Sequence, residues 1–190
     1  MLHRFTAIAP IVLAAGLATA AEAPADMQAY VEQDVMTWAM TPLIVAAINA
    51  QNARTAGATQ EEIDGWDTEW AAQVGTGTQP LVDSVVTGPV SDFLRSQVDA
   101  SSGIITEVIV MDSRGLNVAA SGPTSDYWQG DEAKYSKTYS VGPGAIFVDE
   151  VEFDESSQTY QGQASITITD PATGSAIGAM TIGLNAEMFF

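Results

Sequence analysis

The chain has no cysteine, one histidine, and only 6 lysines and arginines against 24 aspartates and glutamates in 190 residues, a formal charge of −18. Each shortage removes a class of chemistry. Without cysteine there is no disulfide, no thiolate nucleophile and no sulfur ligand for a structural zinc, so the fold has to stand on packing alone. The scarcity of cations leaves a field that repels phosphate backbones and anionic headgroups, which argues against nucleic acid and against stable membrane insertion. After the N-terminal segment, no run reaches the roughly 20 apolar residues that span a bilayer. Also missing are a Gly-x-Ser-x-Gly elbow, a Ser-x-x-Lys pair, a phosphate-cradling glycine loop and an EF-hand pattern. Neither a cofactor nor a metal is expected.

What is present begins with an export signal. His3 and Arg4 precede an apolar stretch from Phe5 to Leu17, and Ala18-Thr19-Ala20 then offers a small-x-small cleavage site, repeated at Ala21-Glu22-Ala23. Residues 1–20 are read as a signal peptide cut near Ala20, leaving a single domain over 21–190 that works in the periplasm or as a secreted protein. Cleavage takes the sole histidine with it. The mature chain then has no imidazole base and no Ser-His or Cys-His nucleophile, and a non-enzymatic role is expected.

The periodicity divides the domain in two. From about 26 to 100 the apolar residues recur at helical spacing: Tyr30, Val31, Val35 and Trp38, then Leu43, Ala47 and Ile48 after a restart at Pro42 capped by Thr41. Thr59 and Glu62 form a capping box for a helix carrying Ile63, Trp66, Trp70 and Val74, and a broken helix runs over Leu81–Thr87 and Pro89–Ala100. From about 104 to 187 the period becomes that of strands. Ile104–Met111 is a β-branched run suited to burial on both faces, and Asp112-Ser113-Arg114-Gly115 turns it into a returning strand through Leu116, Val118 and Ala120. A polar, aromatic loop with a short helix near Glu132–Lys137 leads to a strand from Ala145 to about Phe153, an alternating strand at Ala164–Thr169, and a last strand over Ala176–Leu184. The predicted fold class is α+β, with long N-terminal helices followed by a five-stranded, mostly antiparallel sheet.

The turn Asp112-Ser113-Arg114-Gly115, the loop Ser125-Asp126-Tyr127-Trp128-Gln129-Gly130-Asp131-Glu132 and the closing strand Ala176-Ile177-Gly178-Ala179-Met180-Thr181-Ile182-Gly183 together resemble the single Cache (PDC-type) extracellular sensor domains, over about Tyr30 to Glu187. The resemblance implies a PAS-like sheet that binds a small organic molecule between its surface and the loop after the second strand. Such domains usually lie between transmembrane helices and feed a kinase, chemoreceptor or cyclase. No such parts are read in this chain, so signalling would call for a separate, membrane-bound partner. In the amino-acid-binding relatives this loop carries a Tyr followed five residues later by Arg-x-Trp-Tyr. Tyr127 and Tyr135 match its ends, but Glu132 stands at the Arg position and Lys134 at the Trp position.

The candidate ligand-binding residues are Tyr127, Trp128, Asp131, Lys134 and Tyr135 in the loop, with Phe147 and Asp149 on the next strand as the opposite wall. Aromatic walls with polar handles suit a small ligand, and Lys134 or Lys137 would hold an anionic one. The alternative reading makes the aromatics a plain cover for the sheet, the lysines helix-face partners of Asp131 or Glu132, and Asp131 with Glu132 a preference for an amine. Glu150, Glu152 and Asp154 alternate along a strand, as a charged sheet edge does, and a calcium site there would need oxygens from elsewhere. Two rival functions stand beside the small-molecule binder. One is an envelope structural or assembly protein that forms a homodimer or docks a partner through Trp38, Trp66 and Trp70. The other is a carboxylate-only glycan hydrolase, for which nothing marks a pair of acids.

Overall fold

A computed structural model of the chain describes residues 24–154 and 159–190. The predicted signal peptide, 1–20, lies outside the described residues. The helical half comprises α1 (Ala25–Gln33), α2 (Pro42–Thr55), α3 (Gln60–Gln73), α4 (Pro80–Val86) and α5 (Pro89–Ala100). The second half contains β1 (Ile105–Met111), β2 (Asn117–Ala120), α6 (Ala133–Ser136), β3 (Ile146–Val148), β4 (Glu152–Asp154), β5 (Thr159–Thr169) and β6 (Ala176–Asn185). No helix among the described residues is long and apolar enough to cross a membrane.

Local chemistry sets most of these boundaries. α2, α4 and α5 each open on a proline in the first turn, where the missing N–H costs nothing and the fixed φ is already helical. α3 opens on the expected capping box, in which the Glu62 N–H donates to the Thr59 hydroxyl and the Thr59 N–H donates to Glu62 Oε2 at 2.8 Å. Thr41 departs from expectation. It precedes Pro42 in extended conformation, but its hydroxyl makes no capping bond and is buried without a partner among the described residues. Pro42 starts the helix without that help.

The strands form one antiparallel PAS-like sheet in the order β2-β1-β6-β5-β3, with β4 also paired to β5. The count is six strands where the sequence suggested five. The expected strand 145–153 is broken: Val148 pairs with Ala164, but Glu152 pairs with Gln161, so one surplus residue lies on the 149–151 side of the ladder. Glu150, Glu152 and Asp154 therefore do not share one regular strand, and Val151 turns inward to 3 % exposure.

The β1 run is buried on both faces, as its composition implied. Val108 and Val110 join Ile166, Met180 and Ile182 in a core closed by Met27 and Val31 of α1, Ile44 and Ile48 of α2, and Leu94 of α5. Each such aliphatic side chain contributes about 2 kcal/mol on burial. Ile109 and Met111 point the other way and pack with Ala179 against Tyr135. A third cluster, Ile63 and Trp70 of α3 with Val82 and Val85 of α4, covers Leu116, Ala120 and Tyr127. Trp70 is fully buried there, stacked on Tyr127 with ring centroids 5.5 Å apart and donating to the Thr124 carbonyl at 2.9 Å. It is spent inside the chain, which removes it from the docking face proposed for Trp38, Trp66 and Trp70.

Candidate functional site

The site is built around the turn 112–115, because both the helices and the aromatic loop fasten to it. Asp112 is completely buried, and its carboxylate is saturated: Oδ1 accepts the N–H groups of Arg114 (2.8 Å) and Leu116 (3.0 Å), while Oδ2 accepts from the Thr55 hydroxyl (2.8 Å) and the Gln51 amide (3.2 Å). Asn52 of α2 adds two bonds, accepting from Ser113 N and donating to the Ile177 carbonyl, each at 2.8 Å. Gly115 adopts a φ of +79°, and a Cβ there would lie 2.6 Å from the backbone of Gly130. Only glycine permits both the left-handed conformation and this approach of turn to loop.

The loop is held to the same turn by its own aromatics. Trp128 Nε1 donates to the Arg114 carbonyl at 2.8 Å, and the Tyr135 hydroxyl donates to the Ser113 carbonyl at 2.7 Å. Backbone bonds Asn117 N to Tyr127 O and Gln129 N to Gly115 O lay residues 127–129 alongside the start of β2. Asp67 of α3 clamps the segment from outside, its Oδ1 accepting the N–H groups of Tyr127 (2.8 Å) and Trp128 (2.9 Å).

The predicted ligand residues fall into two groups. Tyr127 and Trp128 face α3 and α4 in the Trp70 cluster. Lys134 and Tyr135, on α6, lie over the sheet face that bears Ile109, Met111 and Ala179. Tyr135 stacks on Tyr139 with centroids 5.2 Å apart. Lys134 is drawn in, its ammonium 3.1 Å from Glu132 Oε2 and 3.2 Å from Gln129 Oε1. Lys137 rests 4.1 Å from the centroid of the Phe147 ring, a cation–π contact. Phe147 pairs with Ser165 across the ladder, so it shares this face. Asp149 follows β3 and turns back on itself, with its Oδ1 accepting from Glu150 N at 3.0 Å. Asp131 is exposed.

Beneath α6 the sheet face is polar in the middle. Ser165, Thr167 and Thr181 are at most 1 % exposed; Ser165 and Thr181 bond to each other at 2.9 Å, and Thr167 Oγ1 has no partner among the described residues. Thr167 pairs with Ala179, which places its hydroxyl beside the patch that Tyr135 covers. Burial, reinforced by the charge of Asp112 and opposed by that of Arg54, pushes the Tyr127 phenol up to about 12. Burial likewise raises Tyr135, with Tyr139 and Asp112 adding to it and Arg114 opposing. Both phenols are neutral donors at ordinary pH. No group of three or more His, Cys, Asp or Glu among the described residues could hold a metal ion.

Sequence reasoning missed Gln51, Asn52, Thr55, Asp67 and the hydroxyl row of β5 and β6. The first three stand in the polar C-terminal half of α2, beside Asn49 and Arg54, where they look like ordinary solvent-facing residues; the burial of Gln51 and Thr55 is visible only in the fold.

No protein-family model matches the chain, and no curated protein matches it. Among solved structures, it is similar to the ligand-binding domain of the Campylobacter jejuni chemoreceptor Tlp3 in complex with 4-methylisoleucine, at 15% identity and a TM-score of 0.41, over 82% of this chain and 64% of that one. It is similar also to the ligand-binding domain of the Pseudomonas aeruginosa PAO1 amino acid chemoreceptor PctC in complex with GABA, at 11% identity and a TM-score of 0.42, over 77% of this chain and 60% of that one. A third is the sensor domain of the V. cholerae histidine kinase DctB, at 8% identity and a TM-score of 0.34, over 84% of this chain and 55% of that one. The chain thus spans less than two thirds of each of these structures. All three are ligand-binding or sensor domains, and at these values no residue role passes from them to this chain.

Proposed function

We propose that this protein is a non-catalytic, sensor-type domain that binds one small organic molecule between the sheet and the segment carrying α6. The observation that carries this reading is the buried hydroxyl row of Ser165, Thr167 and Thr181, roofed by α6, with the Thr167 hydroxyl left without a partner among the described residues. A buried hydroxyl without a hydrogen bond costs about 1–3 kcal/mol, and a ligand polar group placed there removes that cost. Tyr135, Lys134 and Phe147 supply the surrounding walls, with Asp131 and Asp149 at the rim. Tyr127 and Trp128 hold the loop in place through Trp70 and the turn 112–115. Lys134 already faces Glu132, so an anionic ligand has to share or displace that pair, and a zwitterion or an amine can use both.

The domain spans 21–190 after removal of the signal peptide, works in the periplasm or outside the cell, and reports to a membrane-bound partner. N-terminal sequencing of the exported protein tests the cleavage near Ala20. For the ligand, a thermal-shift screen of amino acids, organic acids and amines is the direct measurement. At least one compound should raise the melting temperature, and Thr167→Val with Lys134→Ala should abolish the shift. A screen with no hit, or a hit indifferent to both changes, overturns the reading.

A further inference from the structure

A cleft of about 440 Å³ opens where α2, α4 and β2 meet, apart from the sheet face under α6. That volume lies within the range of small-molecule sites. Ala47 of α2, Val85 of α4 and Val118 of β2 give it apolar walls. Its polar lining consists of Gln51, Arg54, Ser84 and Tyr127. Among the described residues Arg54 is the one charged group in its lining, in a chain where acids outnumber bases 24 to 6.

The orientation of these groups is fixed from behind. The Gln51 amide nitrogen is engaged inward, donating to Asp112 Oδ2, the Leu116 carbonyl (3.3 Å) and the Asn117 carbonyl (3.1 Å). Its oxygen is thereby turned to Arg54, whose Nη2 donates to it at 3.4 Å. The other bond of the guanidinium is also long, Nη1 to the Ala50 carbonyl at 3.3 Å, and no carboxylate among the described residues pairs with it. Most of the five guanidinium donors are therefore unspent. The Tyr127 hydroxyl has no partner among the described residues either, and burial keeps it protonated well past neutral pH. Ser84 donates its hydroxyl hydrogen to the Leu81 carbonyl at 2.6 Å and keeps its lone pairs. A planar cationic fork and a phenol, both donors, thus line one cleft with aliphatic walls.

We propose that this cleft binds a small monocarboxylate with a short apolar body, the carboxylate held by Arg54 and the Tyr127 hydroxyl and the carbon chain against Ala47, Val85 and Val118. Guanidinium matches a carboxylate with two parallel hydrogen bonds, a geometry that a neutral amide cannot exploit and an ammonium is repelled from. The site is separate from the one under α6, and either can exist without the other.

Isothermal titration calorimetry of the purified protein with sodium butyrate and sodium benzoate tests the proposal, with butyramide and butylamine as controls of like size. At least one carboxylate should bind saturably, with both controls at least tenfold weaker. Arg54→Gln should weaken the carboxylate tenfold or more, Arg54→Lys less than that, and Tyr127→Phe about threefold. Ala47→Leu fills the cleft from a helix that accepts leucine, and should abolish binding while circular dichroism stays native. Arg95→Gln removes the same charge on α5, away from both sites, and should leave the affinity within twofold. The proposal fails if neither carboxylate binds, if butyramide binds as well as butyrate, or if Arg54→Gln costs no more than Arg95→Gln.

Discussion

At the scale of single residues, Asp112 carries the most. From a fully buried position it accepts two backbone N–H groups of the turn and takes a further bond each from Thr55 and Gln51. Asp112→Ala leaves these donors facing an apolar hole and should destabilise the fold by about 3 kcal/mol, read from urea unfolding. Asp112→Asn retains an acceptor oxygen but sets an NH2 against two donors, and should fall between. Tyr127 offers a pH test. Its phenol is raised to about 12 in the folded chain, by burial first. The unfolded chain, with a phenol near 10, loses its proton earlier, so it binds fewer protons than the folded state between those values. The stabilisation is complete below pH 10 and is lost as pH rises toward 12. The urea midpoint should decline over that window, and Tyr127→Phe should decline less steeply. Neither residue's partners could be read beforehand: Thr55 lies 57 positions from Asp112, and Asp67 lies 60 from Tyr127. Spacing along a chain has no access to contacts of that range.

At the scale of elements, the helices and their ends followed from local rules. The capping box of α3 and the first-turn prolines of α2 and α5 stand where the sequence placed them, while α4 takes in Pro80, one residue before the expected start at Leu81. The alternation of Ala164, Ile166 and Ile168 likewise marked the inward face of β5. The strand at 145–153 was misread because the alternation of Glu150, Val151, Glu152 and Phe153 looks like a continuation of the run before it, and only the pairing with β5 reveals the surplus residue. The hairpin turn illustrates the same limit. Gly115 was legible as a turn residue, but the contact with Gly130 was not. Gly115→Ala incurs both the left-handed backbone and the clash, and should cost about 3 kcal/mol. Gly75, with a φ of +75° and open space around it, incurs only the first, so Gly75→Ala should cost about 1 kcal/mol. Parallel chemical denaturation of the two variants isolates the close approach of turn and loop. Equal losses would show that the loop yields.

At the scale of the whole molecule, the charge of −18 acts on everything at once. Self-repulsion weakens a compact state and is screened by salt over about 10 Å at 0.1 M. The melting temperature should therefore rise as sodium chloride goes from 10 to 300 mM, and differential scanning calorimetry measures it. A flat response would mean that the carboxylates are spread widely enough to ignore one another. The candidate site was legible only in part at this scale: the loop and its aromatics stood out, whereas the hydroxyl floor needed the sheet order, and the Arg54 cleft needed the placement of α4. The turn 112–115 gives the molecule one more property. α2 grips it through Gln51, Asn52 and Thr55, and the loop grips it through Trp128 and Tyr135, on the carbonyls of Arg114 and Ser113. It is a shared anchor: α6 and α2, which belong to different halves of the chain, are tied to the same few peptide units, so neither can be re-seated without re-making bonds to that one turn.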